Sequence, residues 1–401
     1  MGRPKKEKEP NVESTSVSSD YISELIKDTD FKIAENGSLM HSRVKVKTPL
    51  SVLNCIYGGG LPLGIMSEVS GIQQSGKSTF LYQCMGNYQK QYPNGVAVIL
   101  DMETSMDNER LESLGVDTSK VLRLPSTSME KAFANMFKVL NKLVAVSETK
   151  KDISVFMIYD SLAAGGIDSE MEAAQKGEST FGAGTMREDT RVLKHNLECV
   201  LPYMEKFPVF LGLINQVMMK PTQYGPAKTE SGGGNALKHL CHTHIVFGSP
   251  KDDYNGIFLM GTESRVKLVK SKLSPRMEEI PCYIDVTKGG KIDEVVSFVK
   301  YISDKSVGMI EVGSWYQFGG YLKNDMFVTY PQLQECDELN DIFSKNYRKA
   351  DMYELISTNE DLYNLLQIAL IDFLCGIYPA QKIITESYKT DLVSKCKYLN
   401  S

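Results

Sequence analysis

Between residues of about 44 and 290 the chain repeats one pattern: a short apolar run, bounded by turn-forming residues, then a longer stretch with helical spacing. The runs are Ile65–Val69, Val96–Leu100, Val155–Ile158, Val209–Ile214 and His244–Phe247. Short, mostly apolar runs bounded by turn signals suit strands covered on both faces, so the expected fold class is α/β, a mainly parallel twisted sheet flanked by helices such as Thr79–Gln89. Ahead of this region, Tyr21–Ile33 carry apolar side chains at 21, 22, 25 and 26, the spacing of a short amphipathic helix. Beyond about 290 the texture changes to Asp/Glu-rich helices such as Asp361–Cys375, predicting a small α-rich C-terminal domain. Three segments follow: 1–44, a flexible N-terminal arm and docking segment; 45–290, the α/β core; and 291–401, the C-terminal domain. No internal repeat of 20–50 residues is visible.

Composition narrows the class. With 42% hydrophobic and 24% charged residues in 401, the chain is neither disordered, collagen-like nor a coiled-coil rod. Eight scattered cysteines without a CxxC fit free thiols in a reducing compartment. MGRPKKEKEP has no apolar run behind its charges, and no stretch approaches the ~20 residues of a membrane span. A soluble cytoplasmic protein with no membrane partner is expected. The 45 Lys+Arg against 50 Asp+Glu give a net charge of -5, which argues against a general polyanion binder.

The chemistry concentrates in one motif. Gly71-Ile72-Gln73-Gln74-Ser75-Gly76-Lys77-Ser78, with Thr79 following, fits GxxxxGK[ST] between a strand and a helix. Glycines let backbone N–H groups wrap a phosphate, and the helix N-terminus adds partial positive charge. Lys77 suits the β- and γ-phosphates of ATP, and the Ser78 hydroxyl suits Mg²⁺. Val155-Phe-Met-Ile-Tyr-Asp160 puts a carboxylate at a strand's carboxyl end, where Asp160 can hold Mg²⁺ through water. An Asp capping the next helix is the structural alternative. A third run ends in Asp101-Met-Glu103, and either carboxylate could orient an attacking water. Alternation puts both on one face of any continued strand, so spacing does not choose between them.

Read together, the blocks 47–79, VILDMETSMDNERLESLGVD (98–117), VFMIYDS (155–161), LGLINQV (211–217), GGGNALK (232–238) and RVKLVKSKLSPR (265–276) resemble RecA-type recombinases, in the phage branch typified by UvsX. The resemblance spans about 45 to 290. It implies that Glu103 activates water, that Arg110 stacks on adenine, and that Gln216 links the γ-phosphate to a DNA-binding loop. It further implies that Lys270 and Lys272 reach the ATP of a neighbouring subunit in a filament. Two glycine-rich segments match the family's DNA loops, about 165–184 and 217–234, both expected to be structureless. The first leads into a helix with Arg187, Arg191 and Lys194; the second holds Met218, Met219, Lys220, Gln223 and Tyr224. The DNA contacts implied are Arg187, Arg191, Met218, Met219 and Lys220. The chain departs from the family where Met218 replaces a common basic residue. Its first loop also carries Asp168, Glu170, Glu172 and Glu178 against Lys176.

The expected function is an ATP-dependent recombinase: a DNA-dependent ATPase that forms helical homo-oligomeric filaments on single-stranded DNA and pairs them with homologous duplex DNA. A loading or mediator protein and a single-strand-binding protein are the further partners implied. A hexameric helicase with the same core usually has a sizeable N-terminal helical domain, whereas about 45 residues precede the core here. A nonenzymatic ATP-switched regulator would need neither Glu103 nor the lysine pair. His239, Cys241, His242 and His244 look like a metal cluster, but strand alternation splits them and no second ligand pair follows. Phe31-Lys-Ile-Ala34 resembles the short plug with which related recombinases dock on the next protomer, a contact that would propagate a filament. Residues 317–401 hold twelve Asp/Glu against eight Lys/Arg, so most of the acidity lies outside the motif-bearing core.

Overall fold

The computed structural model describes residues 44–103, 107–150, 152–164, 166–176, 185–220, 228–231, 234–274, 277–323, 326–329 and 337–400. The amphipathic segment 21–33 and the Phe31–Ala34 motif lie outside them.

Eight strands form the frame: β1 (Ile65–Gly71), β2 (Val96–Asp101), β3 (Val121–Pro125), β4 (Val155–Asp160), β5 (Val209–Lys220), β6 (Thr243–Phe247), β7 (Phe258–Ser271) and β8 (Met277–Asp285). Their order across the sheet is β8-β7-β6-β1-β5-β4-β2-β3. From β6 to β3 every neighbouring pair is parallel, while β7 and β8 extend the sheet antiparallel. Short strands Lys228–Ser231 and Lys251–Asn255 add to β5 and β7.

The central strands are buried throughout because both of their faces are covered. All seven residues of β1 and all six of β4 are buried. Helix α1 (Ser51–Tyr57) precedes the sheet, and α2 (Lys77–Gln91) leaves the end of β1. On α2, Phe80, Leu81, Cys84, Met85 and Tyr88 share a core with Ile99, Phe156 and Phe210, whose rings stack at 4.5 Å. Helices α3 (Asn108–Ser113), α4 (Met129–Ser147), α5 (Thr185–Lys206) and α6 (Gly234–Leu240) follow. Val98, Leu100, Met157 and Leu211 belong to a second core with Phe133 and Met136 of α4 and Leu193 and Leu197 of α5. Ser128 caps α4 by accepting the N–H of Lys131 at 3.3 Å, which fixes where the helix starts.

The segment after 290 is helical but not only helical. α7 (Glu294–Asp304) leads into a three-stranded antiparallel sheet, Val307–Val312, Trp315–Lys323 and Met326–Thr329, before the helices resume. Asn359 caps the eighteen-residue α8 (Glu360–Ile377), accepting from the N–H of Leu362. Leu365, Leu366, Ile368 and Leu374 of α8 join one core with Leu53 and Ile56 of α1.

The expected structureless first loop contains a helix, Asp168–Gln175. Asp168 and Glu170 lie in its first turn, where acidic side chains favour a helix N-terminus. Part of the second is a β-ribbon, in which Val217–Lys220 pair with Lys228–Ser231. A backbone pairing between distant residues leaves no mark in the local composition.

Candidate functional site

The phosphate loop lies where the sequence places it, between β1 and α2. Gly76 adopts φ of 100°, a backbone conformation that glycine takes freely and other residues rarely adopt. Gln74 also takes a left-handed φ of 60°. Such turns direct successive N–H groups inward, as anion binding requires. Two side chains fasten the loop: Ser75 Oγ donates to the Ile72 carbonyl at 2.8 Å, and Ser264 Oγ, from β7, donates to the Ser75 carbonyl at 2.9 Å. Lys77 Nζ crosses the loop and donates to the Ile72 carbonyl at 2.6 Å. Burial pushes the Lys77 pKa down, and the charges of Asp160 and Glu103 oppose that shift.

Asp160 ends β4 and is 5% exposed. Its Oδ2 accepts from Tyr82 Oη at 2.8 Å, one helical turn beyond Ser78 on α2. Burial raises the Asp160 carboxyl to about 6; the Tyr82 and Ser78 hydroxyls oppose this, and the charges of Glu103 and Asp101 add to it. Burial first, and the neighbouring carboxylates after it, disfavour the charged form of Asp160. Oxygen donors from Asp160 and Ser78 suit a hard cation, and a cation among these carboxylates would relieve the repulsion. The donor set fits Mg²⁺.

Asp101 and Glu103 have different surroundings. β2 stops at Asp101, so the alternation expected to align them does not reach Glu103. Asp101 is buried and accepts from Arg123 Nε at 2.9 Å and Nη2 at 2.6 Å. Glu103 is exposed, and its Oε1 accepts from Ser161 Oγ at 2.7 Å. The arginine occupies Asp101 Oδ2 with two donors and anchors that carboxylate in place. Among these two, Glu103 is the one with an accessible carboxylate.

Arg110 extends from α3 across to Thr79. Its Nη2 donates to the Gly290 carbonyl at 3.0 Å and to Thr79 Oγ1 at 3.4 Å, and its Nη1 donates to the Gly289 carbonyl. The guanidinium plane thus stands beside the start of α2. Gln216 on β5 is the register partner of Gly71, so it adjoins the first residue of the phosphate loop. Lys270 lies near the end of β7, on the other side of β6, and Lys272 just past it; Lys270 Nζ donates to the carbonyls of Lys238 and His239.

Of the expected DNA residues, Arg191 is exposed on α5, and Lys194 pairs with Glu198 at 3.7 Å. Arg187 belongs to the same helix, and Met218, Met219 and Lys220 to β5; their side chains lie outside the described residues, as do Gln223 and Tyr224 altogether. His242 Nδ1 accepts the N–H of Met66 at 3.3 Å, and His244 Nε2 shares a hydrogen bond with Ser70 Oγ at 2.8 Å.

Sequence reading missed Arg123, Tyr82, Ser161 and Ser264. Tyr82 was within reach, four residues after Ser78 on a helix already placed. Arg123 and Ser264 act across strands, and only the strand order reveals them.

The fold and site together define a P-loop nucleotide-binding protein with a RecA-like α/β core. Residues 32–291 match the family described as RecA N-terminal domain, and the chain belongs to that family of recombinases. It is 28% identical over 334 residues to Protein RecA of Ureaplasma parvum serovar 3, covering 82% of this chain and 86% of that protein. To Protein RecA of Nitratidesulfovibrio vulgaris it is 30% identical over 264 residues, 65% of this chain and 68% of the relative. Protein RecA of Psychrobacter cryohalolentis is 27% identical over 295 residues, 73% of this chain and 78% of its own. Among the described residues no helix is long and apolar enough to cross a membrane.

Proposed function

We propose that this chain is a DNA-dependent ATPase that polymerises on single-stranded DNA as a helical filament and exchanges strands with a homologous duplex. The observation that carries the reading is the register of Gln216 beside Gly71: β5, which leads into the segment of about 217–234, runs alongside β1 as far as the first residue of the phosphate loop. A change at the γ-phosphate can therefore act on a DNA-binding segment through one residue. Glu103 is assigned to orienting the attacking water, and Lys77 to the γ-phosphate. Ser78 and Asp160 would hold Mg²⁺, which supplies charge neutralisation on the phosphates when bound. Arg110 would face adenine. Lys270 and Lys272 would complete the neighbouring protomer's site, in the manner of arginine fingers. Arg187, Arg191, Met218, Met219 and Lys220 are the proposed DNA contacts, with apolar side chains spacing bases that need no sequence readout.

The same reading assigns residues 1–44 to protomer docking, 45–290 to the ATPase core and 291–401 to an outer domain whose acidity would limit nonspecific duplex binding. The likeness to the phage UvsX branch is part of the proposal and rests on the motif set alone. The test is ATP hydrolysis with and without single-stranded DNA, paired with electron micrographs of the complex. Stimulated turnover with helical filaments is expected; closed rings would favour a helicase, and absent turnover a nonenzymatic switch.

A further inference from the structure

One charged side chain is buried beside the nucleotide site without belonging to it. Glu68, in the middle of β1, has no exposed surface. Its Oε1 accepts from Asn215 Nδ2 at 2.9 Å. Its Oε2 lies 3.7 Å from His244 Nε2 and has no hydrogen-bond partner among the described residues. His244 Nε2 is bonded in turn to Ser70 Oγ, also on β1.

Three adjacent strands meet at this group. Glu68 and Ser70 belong to β1, Asn215 to β5 on one side and His244 to β6 on the other. Asn215 immediately precedes Gln216, at the root from which 217–233 departs. The chain returns through α6 and turns into β6, where His244 is the second residue. Lys270 pairs with His244 in the sheet and donates to the carbonyls at the end of α6. Glu68 thus has contacts toward both roots of the segment, and its own strand runs directly into Gly71.

A buried acid with an unmet acceptor is costly compared with a leucine in the same place. The apolar residues around it, Met66, Leu211 and Leu213, already form a core without it. The cost calls for a role other than packing.

We propose that Glu68 is a positioning residue that ties both roots of the 217–233 segment to the phosphate-loop strand, coupling nucleotide binding to DNA binding. The proposal rests on the ATP-and-DNA reading above. A displacement of Gly71 by a bound phosphate moves β1, and Glu68 passes that displacement to Asn215 on one side and His244 on the other. Such coupling is reciprocal: DNA that repositions the roots alters the phosphate loop in return.

The test uses the full chain with three variants: Glu68→Gln, Asn215→Leu and the double exchange Glu68→Gln/Asn215→Asp. The exchange restores a hydrogen bond between the same two positions with donor and acceptor reversed. The readouts are affinity for a fluorescent ATP analogue, and affinity for labelled oligo(dT) with and without a nonhydrolysable ATP analogue. The single variants should bind the nucleotide as the unaltered protein does, but lose about tenfold of the nucleotide-induced gain in oligo(dT) affinity. The double exchange should recover most of that gain. Single variants with the full gain, or an exchange as defective as the singles, would overturn the role of Glu68. Hydrogen exchange on the unaltered chain tests the same point without mutation. Nucleotide should slow the amides of 214–217 and 240–245 together, and protection of one root alone would contradict the tie. If the unaltered protein shows no nucleotide-induced gain at all, the functional reading fails instead, a result distinct from either of these.

Discussion

Arg123 holds Asp101 through two donors to one carboxylate oxygen, Nε at 2.9 Å and Nη2 at 2.6 Å, while Glu103, two residues on, accepts from the Ser161 hydroxyl at 2.7 Å and is exposed. Glu103→Gln should therefore retain ATP and DNA binding while turnover falls by about 10²–10⁴, the usual range for loss of a general base. Steady-state hydrolysis with single-stranded DNA checks this. Unchanged turnover would remove Glu103 from its role.

The same contrast gives Asp101 a structural part. Arg123→Ala should strip the buried Asp101 carboxylate of its two guanidinium donors and destabilise the protein by roughly 2–3 kcal/mol. That is below the 3–5 kcal/mol of fully buried pairs, because the Arg123 side chain is 34% exposed. Urea unfolding measures it. A loss of hydrolysis at unchanged stability would point to chemistry at Asp101.

Asp160 makes the stability of the nucleotide-free protein depend on pH. Its carboxyl titrates at about 6 in the folded chain against 3.8 for an ordinary Asp. Below pH 3.8 both states are protonated and the group contributes nothing unfavourable. As pH rises through this window the unfolded chain ionises first, so the folded state loses stability until about pH 6 and stays lower above it. Asp160→Asn should then stabilise the nucleotide-free protein by about 2–3 kcal/mol at pH 7.5 and by little at pH 4. Thermal melts at the two pH values check the sign; a destabilised variant at pH 7.5 would refute it.

Charge reversal at Lys270 and Lys272 should abolish DNA-stimulated hydrolysis while protomers still bind a fluorescent ATP analogue. Loss of nucleotide binding would instead indicate action within the same chain, or the loss of the anchor that Lys270 makes to the end of α6.

Arg110 is clamped by the Gly289 and Gly290 carbonyls, and in the proposed function its guanidinium faces adenine. Arg110→Ala should raise the KM for ATP about tenfold with kcat little changed, the mark of lost ground-state binding.

The central strands were legible because burial on both faces writes itself as an apolar run. Their ends were not: β5 continues to Lys220 because Lys228–Ser231 pairs with it, and that partner lies beyond the apolar run. The fourteen-residue β7 escapes a search for apolar runs because Glu263, Arg265 and Lys267 alternate with buried Ser264, Val266 and Leu268. In the site, the loop, Asp160 and the pair Asp101/Glu103 could be nominated from position along the chain. What separates the pair is Arg123, on the strand next to β2, and neighbouring strands cannot be read from spacing. The buried Glu68 was likewise hidden in what looked like one more apolar strand.

The central claim is strand exchange, which neither hydrolysis nor filament formation establishes alone. The direct measurement is joint-molecule formation between a labelled single strand and a supercoiled homologous duplex, with purified protein, ATP and Mg²⁺. The account predicts ATP-dependent D-loops with homologous DNA and none with a heterologous duplex or with Lys77→Ala. A protein that hydrolyses ATP on single-stranded DNA yet forms no homology-dependent joint would contradict it.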